Sequence, residues 1–125
     1  MMIDFKNGSF MKLKMDNPAQ FMEQLSPLLV GGEEIIGVYK TVRDYVAFTS
    51  KRIIAVNIQG ITGKKKDFTS IPYSKIQTFS VETAGHFDLD SELEVYVSSV
   101  GMVKFEFSGK SDIIKIGQLI GSHIL

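Results

Sequence analysis

Apolar and polar residues alternate strictly in two runs near the end of the chain. In the first run, Leu93, Val95 and Val97 are separated by charged or half-polar residues, and the run 103–107 repeats the pattern. Strict alternation is typical of a strand that buries one face and leaves the other in water. The break at 98–101 is short enough for a tight turn, so the two runs predict a β-hairpin.

Further apolar runs begin at Glu33, separated by glycine or polar turn residues. The predicted strands span 34–41, 45–50, 52–58, 65–71, 76–83, 91–99 and 102–108. Short antiparallel strands in an open sheet leave exposed edges, which closure into a barrel or two packed sheets largely removes. The pattern therefore predicts a mainly β fold, a seven-stranded antiparallel barrel or a pair of near-orthogonal sheets.

Helical spacing is expected before the strands. Asn17 and Pro18 suit the cap and the first position of a short helix, and Pro27 is expected to end or kink it near Ser26. Residues 1–16 show no sustained period, so an irregular or briefly extended arm is expected there.

An amphipathic helix is expected after the strands, with Ser111 as its predicted N-cap. Its apolar stripe consists of Ile113, Ile116, Gly117, Ile120 and Ile124. A stripe of this kind must be buried, and it can plug the open end of the barrel.

Length and composition indicate one globular domain without disulfides. The chain has 125 residues, 44% of them hydrophobic, and no cysteine. We expect an N-terminal arm and short helix at 1–30 and the main folded domain at 31–125. The lack of cysteine excludes thiolate chemistry and suits the cytoplasm. The N-terminus lacks the apolar region of a signal peptide, and no apolar run approaches the roughly 20 residues of a membrane span.

Charge is balanced, with 14 basic and 14 acidic side chains. A neutral chain has no global attraction for nucleic acid or anionic lipid, so we expect no nucleic-acid binding and at most peripheral membrane contact. The compact basic run, here called the lysine run, is Lys64, Lys65 and Lys66. Consecutive side chains on a strand point to opposite faces, so the three cannot all face one ligand. A solvated strand edge and an anionic-lipid contact are the two interpretations.

An acidic stretch with no lysine or arginine inside it lies later in the chain: Glu82, Asp88, Asp90, Glu92 and Glu94. Its alternation suggests a calcium loop, but Leu93 stands where such a loop requires glycine and Ser99 where it requires glutamate. We interpret the stretch as a solvated acidic rim.

Motifs for catalysis and metal binding are incomplete. Gly109, Lys110 and Ser111 precede a predicted helix as the end of a phosphate-binding loop would, but Lys104 stands where that motif needs its first glycine. The two histidines have no ligand spacing and no cysteine to assist them. We expect no enzymatic activity, no metal site and no cofactor.

Several motifs follow one another in a recognisable order. They are Arg43-Asp44, Phe48-Thr-Ser-Lys-Arg-Ile-Ile54, Gln59-Gly-Ile-Thr-Gly-Lys-Lys65, Ile71-Pro-Tyr-Ser-Lys-Ile76, Phe79-Ser-Val-Glu-Thr-Ala-Gly85 and Asp88-Leu-Asp-Ser-Glu-Leu93. From about Gly31 to the C-terminus, the chain resembles the short, stand-alone bacterial pleckstrin-homology-like proteins. The resemblance implies a seven-stranded barrel capped by a helix, self-association into a ring and no established enzymatic activity. It assigns no catalytic residue.

Two functions remain open at this point. The first is a non-catalytic, self-associating interaction or scaffold module, with an unknown protein partner as a further possibility. Its proposed contact patch pairs the lysine run of one copy with the acidic rim of the next: Lys64, Lys65, Lys66, Glu82, Asp88, Asp90 and Glu92. The second is a peripheral domain that binds anionic lipid or a small ligand through the lysine run or the barrel mouth.

Overall fold

Two antiparallel sheets form the body of the molecule in the computed structural model, which describes residues 10–85 and 89–125. The five-stranded sheet contains, in spatial order, β1 (Lys14–Asp16), β2 (Ile35–Lys40), β3 (Tyr45–Thr49), β4 (Arg52–Gln59) and β5 (Lys65–Pro72). The three-stranded sheet contains β6 (Thr78–Glu82), β7 (Ser91–Val97) and β8 (Gly101–Phe107). The predicted mainly β architecture is confirmed, and β2 to β8 match the seven predicted strands.

The strand β1 is the addition to the predicted set. It lies in the segment expected to be irregular or briefly extended, and it has only three residues, too few for a periodic signal. Just before it, the Leu13 amide donates to the Glu106 carbonyl at 2.9 Å, and the Ser108 amide donates to the Leu13 carbonyl at 2.8 Å. The chain therefore crosses from the outer edge of β8 to the outer edge of β2, and it closes one junction between the sheets.

The N-terminal helix begins and ends where the sequence predicted. Helix α1 (Met22–Leu25) lies between two 3₁₀ turns, Pro18–Phe21 and Ser26–Leu28. Asn17 is the cap, and its Oδ1 accepts from the Ala19 amide at 3.0 Å. Pro27 lies inside the second 3₁₀ turn, consistent with its inability to continue an α-helix.

The C-terminal helix α2 (Ile113–Ile124) packs against β6, β7 and the 3₁₀ turn Tyr73–Lys75. Ile113, Ile116 and Ile120 are buried, so the predicted apolar stripe is confirmed. The predicted cap was wrong. Asp112 occupies the N-cap position without a capping bond from its side chain, and the Ser111 hydroxyl lies 3.0 Å from the Ser91 hydroxyl.

Aromatic side chains fill the space between the two sheets. The Tyr39 and Phe107 rings meet edge-on with centroids 4.8 Å apart, and Phe48 contacts both Phe105 and Phe107. On the opposite face of the five-stranded sheet, α1 and its neighbours pack Phe21 and Leu25 on a second apolar cluster. Every residue of β3 is buried as a result, because apolar side chains cover both of its faces.

Candidate interaction surfaces

A buried ion pair lies at the β3–β4 hairpin. The Arg52 guanidinium donates from Nε to Glu33 Oε2 at 2.9 Å and from Nη2 to Glu33 Oε1 at 3.0 Å. The Thr49 hydroxyl also donates to Glu33 Oε2, at 2.5 Å. The Glu33 side chain has no solvent exposure. Thr49 and Arg52 belong to the sequence motif 48–54, but no pattern in the sequence points to their acidic partner, which lies 16 residues earlier than Thr49.

This cluster fastens the N-terminal helical segment to the sheet. Arg52 Nη2 donates to the Leu28 carbonyl at 2.6 Å, and the Val30 amide donates to Glu33 Oε1 at 3.1 Å. Burial raises the pKa of Glu33, but the hydrogen bonds from Arg52, Thr49 and the Val30 amide outweigh it, so the pKa lies below its ordinary value of 4.5. Both carboxylate oxygens are occupied by protein donors, which makes the cluster structural.

The lowered pKa of Glu33 predicts acid sensitivity. A carboxylate whose folded-state pKa is depressed contributes stability that is fully present above its unfolded pKa and is lost as pH falls through the folded pKa. We expect urea melts to show a steady loss of unfolding free energy below about pH 4.5, the ordinary value. Glu33→Gln, which cannot ionise, should lower stability at pH 7 and flatten this acid limb. An acid limb identical to that of the wild type would rule out this role.

The lysine run lies at the start of β5, where it leaves the β4–β5 turn. Lys64 and Lys65 are exposed, whereas Lys66 is half-buried and its Nζ donates to the Gly63 carbonyl at 3.1 Å. Gly60 and Gly63 in this turn have φ of +77° and +69°, a conformation that favours glycine. Lys65 and Lys66 are consecutive residues of β5, so their side chains leave opposite faces of the sheet.

The neighbouring β2–β3 loop is fastened to this turn. Arg43 Nη2 donates to the Gly60 carbonyl at 2.6 Å, and Asp44 Oδ1 accepts from the Ile58 amide at 2.9 Å. These bonds hold the loop tip beside the β4–β5 turn. The paired motif Arg43-Asp44 thus has a structural role.

The predicted acidic residues are distributed over the three-stranded sheet and its connection. Glu82 lies opposite Glu92, and Glu92 lies opposite Glu106, so three glutamates form a row across the sheet. Asp90 Oδ1 accepts from the Gly109 amide at 3.2 Å, which gives it a role in the turn. Asp88 lies outside the described residues.

The acidic stretch has one cationic neighbour on the adjacent strand. Lys104, on the adjacent strand, places its Nζ 3.4 Å from Glu92 Oε2. Glu82, Glu92, Glu94 and Glu106 nevertheless outnumber it, and we call these four the acidic face. Glu106 was missed, although the turn at 98–100 fixes its position opposite Glu92. Among the residues described, no ion pair joins the acidic face to the lysine run.

The segment 109–111 forms a turn before α2. Gly109 has a φ of +75°, and the strand before it, β8, pairs antiparallel with β7. A phosphate-binding loop follows a strand of a parallel sheet, so the turn differs from that motif in its setting as well as in its sequence.

No group of three histidine, aspartate or glutamate side chains within 10–85 and 89–125 is arranged to hold a metal ion. In the same residues, neither helix has the length and apolar character that crossing a membrane requires.

Comparison with known proteins places the chain in a family. The bacterial PH domain model matches residues 4–124. YjqA, an uncharacterized protein of Bacillus subtilis, is 49% identical over 94 residues, which make up 75% of each protein. A crystal structure of a protein with a pleckstrin-homology domain from Shewanella loihica has a TM-score of 0.75 and 34% identity, over 92% of this chain and 99% of that one. A pleckstrin-homology domain from Shewanella amazonensis gives 0.61 and 38%, over 98% and 97%. With a family match over nearly its whole length, a mainly β fold of two sheets and a helix packed on them, this chain belongs to the bacterial PH domain family.

Proposed function

We propose that this protein is a cytoplasmic, non-catalytic interaction module that associates with copies of itself. The observation that carries the proposal is the contrast between the two edges of the three-stranded sheet. Residues 10–13 cover the outer edge of β8 with backbone hydrogen bonds. The outer edge of β6 has no neighbouring strand among the described residues.

The β6 edge has the properties of a pairing template. Its sequence, Thr-Phe-Ser-Val-Glu, is rich in residues that favour strands and contains no lysine or proline. Proteins that remain monomeric usually protect an exposed strand edge with lysine, proline or a β-bulge. Phe79 and Val81 are half-buried beneath α2, and a Cβ on Gly117 would lie 3.0 Å from Val81 Cγ2. The helix therefore holds β6 in place, so its edge is already ordered before a partner arrives.

The two charged surfaces set the relative orientation in which two copies associate. Glu82 ends β6 and belongs to the acidic face, while the lysine run lies on β5 of the other sheet. Because the two charged surfaces lie on different sheets, one copy can offer its acidic face to the lysine run of the next. Contacts between unlike surfaces repeat head to tail and close into rings when the rotation permits. Such charges set register and association rate more than affinity.

Hydrogen exchange tests the role of the β6 edge. We expect the β6 amides that point away from β7 to exchange slowly in concentrated protein and to lose protection on dilution below the association range. The amides that bond to β7 are the internal control, because they stay protected in both conditions. If the β6 amides that point away from β7 exchange at solvent rates in an assembled sample, the contact between copies lies on another surface.

Reversal of the lysine run tests the electrostatic part. We expect Lys64→Glu, Lys65→Glu and Lys66→Glu together to shift assembly to higher protein concentration, most strongly at low salt, since salt screens exposed charges. The melting temperature of the dissociated protein should change little. A matched control reverses three exposed lysines near α2: Lys75, Lys110 and Lys115. If both triple variants weaken assembly equally, net charge alone explains the effect. The proposed contact between the lysine run and the acidic face is then ruled out.

A further inference from the structure

The five-stranded sheet also ends in a strand with one unpaired edge. β5 pairs with β4 on one side, and no strand among the described residues lies on its other side. β5 contains Lys65, Lys66 and Pro72, and lysine and proline discourage an exposed edge from pairing with an identical edge. The β5 edge is therefore protected against pairing with itself, but its two lysines suit a strand that carries a carboxylate.

The bonds of β4 identify the backbone groups that β5 leaves free. The Ile58 amide donates to Asp44 Oδ1 on the side of β4 that faces β3. Successive residues of a strand direct their backbone groups to alternate edges, so the odd-numbered residues of β4 bond to β5. Their partners are the odd-numbered residues of β5, which leaves the amides and carbonyls of Lys66, Phe68 and Ser70 pointing outward.

The bonds of β8 identify the free backbone groups of β6 in the same way. The Glu106 amide and carbonyl bond to residues 10 and 13, on the side of β8 that faces away from β7. The odd-numbered residues of β8 and β7 therefore bond to each other, and the even-numbered residues of β7 bond to β6. The amides and carbonyls of Phe79 and Val81 are left pointing outward.

An antiparallel alignment of the two edges pairs their outward backbone groups. Phe79 then lies opposite Phe68, and both rings are half-buried in the single chain. In the same alignment Glu82 lies opposite Lys65, and both of these side chains are exposed. Facing aromatic residues and facing opposite charges both stabilise a strand pair.

Other antiparallel alignments of the two edges are less favourable. Because outward groups alternate along each strand, the alignment can shift only by two residues at a time. A shift in one direction places Glu82 opposite Asp67, where like charges repel. A shift in the other direction places Glu82 opposite Gly63, which lies outside β5.

We propose that β6 of one copy pairs with β5 of the next copy in the alignment that places Glu82 opposite Lys65. This inference rests on the proposed self-association and names the partner of the β6 edge. The two edges belong to different sheets, so the contact is heterologous, and each copy has one edge to offer and one to receive. Repetition of such a contact closes into a ring when the rotation permits.

Disulfide formation between copies tests the alignment, because the chain has no cysteine of its own. Thr78 and Thr69 face each other at a position without mutual hydrogen bonds, where Cα atoms lie about 4.5 Å apart, within disulfide range. We expect Thr78→Cys and Thr69→Cys chains, mixed before assembly and mildly oxidised, to form disulfide-linked dimers with one chain of each kind. Mass spectrometry of the digested dimer identifies the linked residues.

The control mixture combines Ser80→Cys chains with Thr69→Cys chains. These positions are displaced by two residues in the proposed alignment, about 7–8 Å apart, which exceeds the usual reach of a disulfide. We expect the control mixture to link at least about tenfold more slowly.

Exchange of the facing charges tests the alignment independently. Glu82→Lys and Lys65→Glu should each raise the protein concentration needed for assembly about fivefold, and the two together should restore it. Glu94→Lys with Lys65→Glu is the matched control. Glu94 lies on β7, one strand away from the edge, so this pair should give no rescue.

Light scattering separates failure of this alignment from failure of self-association. The alignment would be overturned if assembled protein links both cysteine mixtures equally or shows no rescue by the paired charge exchange, and self-association would still stand. A wild-type monomer at tens of micromolar would overturn both. Circular dichroism and melting of each variant separate loss of pairing from loss of fold.

Discussion

Arg52→Ala should lower the free energy of unfolding by about 3–5 kcal/mol, the usual cost of removing one partner of a buried ion pair. The substitution leaves the Glu33 carboxylate without its two guanidinium donors, in a position with no solvent exposure. It also releases the Leu28 carbonyl and the Ser70 hydroxyl, which accept from the same side chain. Urea melts at pH 7 measure the change.

Arg43→Ala is the matched control for this substitution. Arg43 is exposed, and among the described residues its guanidinium donates one hydrogen bond, to the Gly60 carbonyl. We expect its loss to cost about 1 kcal/mol or less. In a double-mutant cycle, Glu33→Gln should recover part of the loss in Arg52→Ala, because it removes the unpaired charge. Equal costs for the two arginine variants would contradict the structural role of the buried pair.

Ile120→Ala should lower the free energy of unfolding by about 2–5 kcal/mol, the range found when a fully buried isoleucine is truncated. Ile120 has no solvent exposure and belongs to the main core cluster. The Gly117 and Gly121 positions bring α2 close to β6, so the helix has little freedom to move into the cavity left behind. A cavity that cannot collapse places the cost toward the upper part of the range.

Ile114→Ala distinguishes burial from helix propensity. Ile114 lies on the same helix and is 57% exposed. Alanine favours a helix more than isoleucine does, so this variant should change stability by no more than about 0.5 kcal/mol. Near-equal melting of the Ile120 variant and the wild type would show that the stripe is not part of the core.

Local patterns predicted the elements that depend on neighbouring residues. The β7–β8 hairpin followed from strict alternation around a short break. The helix limits near Asn17 and Pro27 followed from cap and proline chemistry. In each case the decisive contacts lie within a few residues, so the sequence carries the information directly.

Features that depend on distant pairing were not predictable in the same way. The strand β1 has three residues and exists because residues near Lys40 pair with it. The carboxylate partner of Arg52 is Glu33, which lies in a connecting segment. No local pattern there distinguishes it from any other acidic residue. The acidic stretch was recognised, but its row of glutamates depends on the register of three strands.

Multi-angle light scattering after size-exclusion chromatography is the sharpest test of the proposed self-association. The chain mass is 13.9 kDa. We expect wild-type protein at tens of micromolar to elute as one species whose mass is an integral multiple of that value. The mass should stay constant across the peak, as a closed assembly requires. A peak with the mass of a single chain at the same concentration would rule out self-association.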